Sequence, residues 1–147
     1  MSSPTAESEV VLTVTAQNHL KLTLSDLSRF LRRSVRATDE LGKESLFEGA
    51  SLTEILLAGG VKFGKELRGK RLADYLLVQT EDGYRVVFAL PELDPAFRDT
   101  DILLADKRDE KPLEGSGGRL RLIIPSEKRF ARWARQVVSL QIRSAKE

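Results

Sequence analysis

Short segments in which apolar and polar residues alternate constrain the fold of this chain more than any other feature of its sequence. The segments HLKLTL at 19–24 and YRVVFAL at 84–90 place larger apolar side chains at every second position. Period-two alternation is typical of half-buried strands, and turn residues such as the EDG at 81–83 predict hairpins between them. The sequence therefore predicts a domain built mainly from β-sheet.

Helices are predicted to be few and short. Ser51 and Glu54 have the spacing of a capping box for a helix over 51–60, which Gly59 and Gly60 would end. Shorter helical turns are predicted after Ser25 or Asp26 as cap, and over 91–97. Strands are predicted at 10–15, 19–24, 33–38, 44–49, 71–80, 84–90, 101–106, 119–125 and 134–142. The fold class is therefore α+β, dominated by mixed or antiparallel sheet, with a disordered tail at 1–9 and one domain over 10–147.

Composition excludes several kinds of site. The 147 residues contain no cysteine and one histidine, His19, so disulfides, zinc–thiolate centres, cysteine nucleophiles and multi-histidine metal sites are excluded. A serine–histidine pair would need His19, which begins a predicted strand. No apolar run reaches the roughly 18–20 residues that span a bilayer. The N-terminus lacks the plan of a signal peptide.

The stretch IIPSEKRFARWARQV at 123–137 gathers cations around Trp133, the only tryptophan. The net charge is +2, but residues 107–147 hold eleven Lys and Arg against five Asp and Glu, which indicates a local anion site. As a helix, the stretch would be limited to about two turns between Pro125 and the next strand. Arginines after a strand suit phosphate, which they bind through two parallel hydrogen bonds. Two alternatives stay open: a packed tryptophan whose neighbouring arginines extend to solvent, and a nucleic-acid surface, which would need several exposed aromatic residues.

Neither the glycines at 115, 117 and 118 nor the scattered acidic residues form a recognisable motif. The glycines precede a strand instead of a helix, so no helix N-terminus is available to bind a pyrophosphate. Capping and turn roles are predicted for nearly all of the carboxylates, and spacing alone does not show whether two of them form a general acid–base pair. These carboxylates are Asp82, Glu92, Asp94, Asp99, Asp101 and Asp106.

Three stretches together resemble the molybdopterin-binding domain of sulfite-oxidase-like oxidoreductases. LFEGASLTEILLAGGV at 46–61 is similar to that family's W-x-G-V-x-L-x-D-L-L-x-x-A-G-V segment, and DGYRVVFALPEL at 82–93 to its next hairpin. The stretch from 102 to 142 resembles the family's L-L-A-Y-x-x-N-G-x-P-L, G-x-P-L-R-L-x-V-P-G and A-R-x-V-K-W-L run. The resemblance covers about 20–142 and implies mixed sheets with a small barrel-like part and a cleft for an anionic pterin.

The resemblance also implies which residues would contact the cofactor. In the family, an arginine and a lysine three residues apart, with a tryptophan after the lysine, contact the pyranopterin. Arg129, Arg132 and Trp133 match those positions, with Arg132 in place of the lysine. The implied cofactor-binding set is Arg36, Thr38, Lys128, Arg129, Arg132 and Trp133.

The sequence departs from the family pattern at the metal. Catalytic members carry a molybdenum-binding cysteine at a strand end that corresponds here to Ala37 or Thr38. Neither side chain supplies a thiolate, so catalysis through a cysteine-ligated molybdenum is not expected. The family's Pro-Gly loop becomes Pro125-Ser126 in a shorter loop, and its Asn-Gly turn becomes Asp109-Glu110.

Two functions remain after these departures. The first is a protein of this oxidoreductase family that binds molybdopterin or another anionic ligand without the usual molybdenum–thiolate chemistry. The second is a non-enzymatic binding or interaction module on the same scaffold. Nucleic acid and a membrane span are not expected. By analogy with small relatives of this type, an extracytoplasmic, periplasmic location is expected.

Overall fold

Two open, five-stranded sheets form the framework of the domain in the computed structural model, which describes residues 9–66, 68–94, 102–113 and 119–145. The first sheet is ordered β2-β1-β10-β5-β6. Its strands are β1 (Val10–Thr15), β2 (His19–Thr23), β5 (Asp74–Thr80), β6 (Arg85–Ala89) and β10 (Val137–Ser144). The strands β1 and β10 run parallel, with Thr13 opposite Ser139, and the other neighbours are antiparallel. The sheet is therefore mixed.

The second sheet is antiparallel throughout. It has the order β3-β4-β7-β8, and β9 also pairs with β7. Its strands are β3 (Arg32–Thr38), β4 (Glu44–Ser51), β7 (Leu103–Arg108), β8 (Lys111–Pro112) and β9 (Arg121–Ile123). The predicted α+β class with mixed and antiparallel sheets is confirmed. The barrel-like part expected from the resemblance is not a closed barrel in the described residues, because both sheets have free edges.

Helices are short, as predicted, but their caps differ from the prediction. The helix α1 (Leu24–Ser28) is capped by Thr23, whose hydroxyl accepts from the Asp26 N–H at 3.0 Å while the Asp26 carboxylate accepts from the Thr23 N–H at 2.9 Å. The prediction of Ser25 or Asp26 as the capping residue was therefore wrong. Thr23 is the last residue of β2 and already has the extended backbone that an N-cap requires.

The helix α2 (Leu52–Ala58) lies within the predicted range and ends at Gly59 as expected. The predicted capping box was wrong, because Ser51 makes no side-chain capping bond. Ser51 is instead the last residue of β4, paired with Leu103, and the Leu52 N–H donates to the Ile102 carbonyl at 2.9 Å. The second sheet thus begins this helix. Further 3-10 helices are Gly64–Glu66, Gly69–Ala73 and Leu90–Leu93.

The predicted strand at 71–80 begins only at Asp74, because the preceding residues form a 3-10 helix. The helical turn predicted at 91–97 is the 3-10 helix Leu90–Leu93, with Pro91 in its first turn. Residues 95–97 of that range lie outside the described residues, and so do residues 1–8 of the predicted tail and the glycines at 115, 117 and 118.

The stretch between β9 and β10 contains no helix, although the sequence left room for one of about two turns. It folds as successive turns, in which the Trp133 N–H donates to the Phe130 carbonyl at 3.0 Å and the Leu122 N–H to the Ala134 carbonyl at 2.9 Å. An isolated bridge pairs Arg121 with Arg135. These bonds to β9 take the place of helical bonds, so the loop lies along the second sheet.

A cluster of buried apolar residues connects both sheets and both α-helices. Its largest fully buried members include Phe47 and Phe88. Burial of each such side chain stabilises the fold by about 1.5–3 kcal/mol. The strands β4 and β7 approach closely at Gly49, where an added Cβ would lie 2.0 Å from the Leu104 carbonyl oxygen. Only glycine fits there without displacing the backbone.

Candidate functional site

Trp133 lies inside the protein, although the sequence left open a surface position. It is 4% exposed, and its ring meets Phe130 edge to face at a centroid distance of 4.8 Å. The guanidinium of Arg121 lies over the indole, 5.7 Å from its centroid. The indole Nε1 is buried and has no hydrogen-bond acceptor among the described residues. Trp133 is therefore a packed residue with one unsatisfied donor.

The chain's own carboxylates neutralise Arg132. Its Nη2 lies 2.8 Å from Glu92 Oε1 and 2.7 Å from Glu127 Oε1, and its Nη1 donates to the Val87 carbonyl at 2.8 Å. The guanidinium also stacks 4.2 Å from the centroid of the Phe88 ring. Hydrogen bonds to Glu92, and then to Glu127, raise the pKa of Arg132 above its ordinary value against the opposing effect of burial. Arg132 thus ties its loop to β6 and the 3-10 helix that follows.

A second set of charges surrounds Trp133 on the side of the β3–β4 turn. Glu40 accepts from Arg121 Nη2 at 2.7 Å and from Arg135 Nη2 in a short contact. Arg121 is 5% exposed, and its Nε has no acceptor among the described residues. Burial alone would raise the pKa of Glu40, but its hydrogen bonds and the two arginine charges outweigh burial and hold the pKa below its ordinary value. One carboxylate therefore serves two guanidinium groups.

The remaining predicted cofactor contacts are exposed. Arg36 and Thr38 are two residues apart on β3, so they share one face of the strand, while Ala37 between them is buried. Lys128 and Arg129 are exposed in the loop before Trp133. No ion pair with a described carboxylate involves Arg36, Lys128 or Arg129. Glu40, two residues after Thr38, holds the end of β3 beside the Trp133 loop through its bonds to Arg121 and Arg135.

A hollow of about 380 Å³ opens beside Trp133. Its lining includes the aromatic residues Tyr84, Phe130 and Trp133 and the charged residues Arg135 and Asp82. The Tyr84 hydroxyl donates to the Ala131 carbonyl at 2.7 Å, which connects the β5–β6 hairpin to the loop. The hollow thus combines three aromatic residues with one cationic and one anionic residue.

Several of these residues were not predicted from the sequence. Glu40 is 81 residues from Arg121 and 95 from Arg135, so no local spacing relates them. Glu92 was assigned only to a capping or turn role; it accepts from the Ala89 N–H at 2.8 Å and also binds Arg132. The one available signal was Glu127, five residues before Arg132 in the same loop.

The other carboxylates for which turn roles were predicted also accept hydrogen bonds where the structure describes them. Asp82 accepts from the Thr80 hydroxyl in a short contact, and Asp106 accepts from Arg32 at 2.7 and 2.8 Å. Asp94 accepts from the Gly64 N–H at 2.7 Å. Asp99 and Asp101 lie outside the described residues. Asp82 therefore has the predicted turn role, whereas the turn role predicted for Asp106 was wrong, because Asp106 lies within β7 and pairs with Arg32 of β3.

The arrangement does not fit molybdopterin in the way the resemblance implied. The matching cation Arg132 is occupied by Glu92 and Glu127, and Trp133 is covered. The strand end offers Ala37 and Thr38 where a thiolate would be required. Among the described residues, no group of three or more His, Asp or Glu side chains is placed to hold a metal ion. Neither described α-helix has the length and apolar content needed to cross a bilayer.

Comparison with known proteins supports the fold through structural similarity and not through sequence similarity. No family model matches the sequence, and no curated protein matches it. Among solved structures, the chain is similar to the sulfane dehydrogenase SoxCD from Paracoccus pantotrophus, with a TM-score of 0.71 and 18% sequence identity. The match covers 96% of this chain and 39% of that chain, so this chain spans well under half of its structural neighbour. At this identity the likeness shows the fold alone.

Proposed function

We propose that this protein uses a sulfite-oxidase-like, molybdopterin-binding-type fold to bind an anionic ligand, and that it does not carry out molybdenum–thiolate catalysis. The three resembling segments and the structural likeness to a dehydrogenase support an oxidoreductase-type scaffold. The single observation that supports the absence of this catalysis is residue identity at the strand end. Ala37 and Thr38 stand where the family has its cysteine, and the chain contains no cysteine elsewhere. A hydroxyl cannot replace a soft, charged sulfur ligand.

The ligand contacts fall on those cations of the predicted cofactor-binding set that have no described carboxylate partner, which are Arg36, Lys128 and Arg129. All three are exposed, so each contributes a screened, salt-sensitive attraction. The hydroxyl of Thr38, on the same strand face as Arg36, adds one neutral hydrogen bond. A phosphate or carboxylate on a pterin or a comparable small molecule suits this set. We expect binding that survives purification at low salt and falls as the salt concentration rises.

The experiment is purification of the protein from a host that makes molybdopterin, followed by assays of pterin fluorescence and molybdenum content. We expect bound pterin well above the molybdenum content, and loss of that pterin in Arg129→Gln. The matched control is Arg143→Gln, an equal loss of charge at an exposed position on β10. A wild-type protein that carries no pterin would refute ligand binding, and stoichiometric molybdenum would refute the loss of catalysis.

A second candidate function is a non-enzymatic interaction module, and the carboxylates around Arg132 favour it. Glu92 and Glu127 bind Arg132, the residue that the resemblance assigns to an anionic group of the cofactor. This function predicts that titration with a free pterin or inorganic phosphate leaves the amide resonances of 128–133 unchanged. Shifts confined to that loop and to β3 would instead favour the ligand-binding function.

We also place the protein outside the cytoplasm, by analogy with small members of the family that the sequence resembles. Fractionation of the native host, with detection of the protein by antibody, tests this location. Recovery with cytoplasmic markers alone would refute it.

A further inference from the structure

The β3–β4 turn presents Glu40 to the loop beside Trp133 from a firmly held backbone. Its neighbour Asp39 is 4% exposed and accepts hydrogen bonds from the N–H groups of Leu41 at 2.9 Å and Lys43 at 3.0 Å. Arg108 adds an ion pair to Asp39 at 2.6 Å. The backbone of the turn is therefore held by contacts that do not involve the Glu40 side chain.

The cluster around Glu40 has more hydrogen-bond donors than acceptors. Arg121 and Arg135 carry two positive charges against the single charge of Glu40. The Nε of Arg121 and the Nε1 of Trp133 are both buried without an acceptor among the described residues. Buried polar groups are nearly always hydrogen-bonded, and an unpaired donor costs about 1–3 kcal/mol. The cluster is thus deficient in anionic or acceptor groups.

The hollow of about 380 Å³ lies directly beside this cluster, because Trp133 and Arg135 belong to both. Its volume lies within the ordinary range of small-molecule pockets although it is open to solvent, and Tyr84 and Phe130 add two further aromatic residues to its lining. Asp82 is the opposing charge at the hollow, but it is exposed and already accepts from the Thr80 hydroxyl and the Tyr84 N–H. Water screens its repulsion of an anion.

The two arginines hold Glu40 unequally. The Arg121 side chain is 6% exposed and its ion pair is shielded from water, whereas the Arg135 side chain is 43% exposed. Exposed ion pairs are weak, so the bond to Arg135 is the one that another carboxylate displaces first. An incoming carboxylate would lie against Arg135 with its apolar part in the hollow.

We propose that Glu40 is an internal carboxylate ligand of the Arg121–Arg135 pair, and that the hollow beside Trp133 binds a small aromatic carboxylate that displaces Glu40 from Arg135. This site uses Arg121, Arg135, Glu40 and Tyr84, none of which contributes to the exposed cations of the proposed function. The two proposals therefore stand or fall separately.

Benzoate is the probe, and fluorescence of the single tryptophan, Trp133, is the readout. We expect weak benzoate binding to the wild type and at least about tenfold tighter binding to Glu40→Gln, which keeps the shape of the side chain but removes the competing charge. The matched control is Glu44→Gln, the same change on an exposed residue of the same hairpin, and it should bind benzoate as the wild type does. Benzamide, which lacks the charge, should bind much more weakly than benzoate.

Three results would overturn the inference. Equal benzoate affinity in Glu40→Gln and Glu44→Gln would show that Glu40 does not compete, and equal affinity for benzamide would show that no cation is used. Benzoate binding that survives Arg135→Gln would place the ligand elsewhere. Because Arg135→Gln alters only an exposed side chain, its test remains valid even if Glu40→Gln fails to fold.

Discussion

Replacement of Arg132 by alanine tests whether this residue holds the fold together or is available to a ligand. Its guanidinium reaches two carboxylates, one backbone carbonyl and one aromatic face. A residue so occupied stabilises the native state and has no charge left for an anion. Arg132→Ala should therefore lower the free energy of unfolding substantially.

The size of the loss follows from exposure. The side chains of Arg132, Glu92 and Glu127 are 27%, 25% and 27% exposed, so each ion pair contributes about 0.5–1 kcal/mol, less than a fully buried pair would. The bond to the Val87 carbonyl adds about 1 kcal/mol, and stacking on Phe88 adds about 0.5–1 kcal/mol. The expected loss is about 3 kcal/mol.

Urea unfolding followed by Trp133 fluorescence measures this loss, with Arg129→Ala as the control. Arg129 is exposed and has no described partner, so its replacement should change the free energy of unfolding by less than about 0.5 kcal/mol. If Arg132→Ala unfolds within about 0.5 kcal/mol of the wild type, the carboxylates do not hold Arg132, and its assignment to the fold must be withdrawn. The guanidinium would then be available for the ligand role implied by the resemblance.

Three further variants test the fold. Gly49→Ala should lower the free energy of unfolding by at least about 2 kcal/mol, because its Cβ would lie 2.0 Å from a backbone oxygen of β7; a wild-type melting temperature would contradict that approach. Glu110→Gly should raise the free energy of unfolding by about 0.5–1 kcal/mol, because Glu110 has a φ of 70° in the β7–β8 turn; a lower value in denaturant unfolding would count against this turn. Burial alone would raise the pKa of Asp39, but hydrogen bonds from Arg108 and two N–H groups outweigh burial and lower this pKa. The ionised Asp39 carboxylate therefore stabilises the fold above about pH 4, and this stabilisation is lost as the pH falls through the folded-state pKa of Asp39. Asp39→Asn should therefore lower stability at pH 7 and weaken the loss of stability in acid; an unchanged acid transition would refute this pairing.

Local patterns in the sequence were sufficient to predict most of the strands. The alternation of apolar and polar residues in β2 and β6 indicates which side chains face the core. The EDG turn between β5 and β6 sets the register of that hairpin. Gly59 likewise marked the end of α2. These elements depend on neighbours within a few residues, so the information lies in the adjacent sequence. The parallel pairing of β1 with β10 has no such signal, because the two strands lie at opposite ends of the chain.

The candidate site shows where local information ends. The sequence alone marked the segment around Trp133 as cationic and the strand end at Ala37 and Thr38 as lacking sulfur, since residue identity settles both. Which cations are paired depended on folding, because Glu92, which binds Arg132, and Glu40, which binds Arg121, come from distant segments. Charge neutralisation acts over a few ångströms in space and disregards separation along the chain. The packing of the two sheets therefore determined that Arg132 is partly buried and paired with carboxylates, while Arg129, three residues earlier, is exposed.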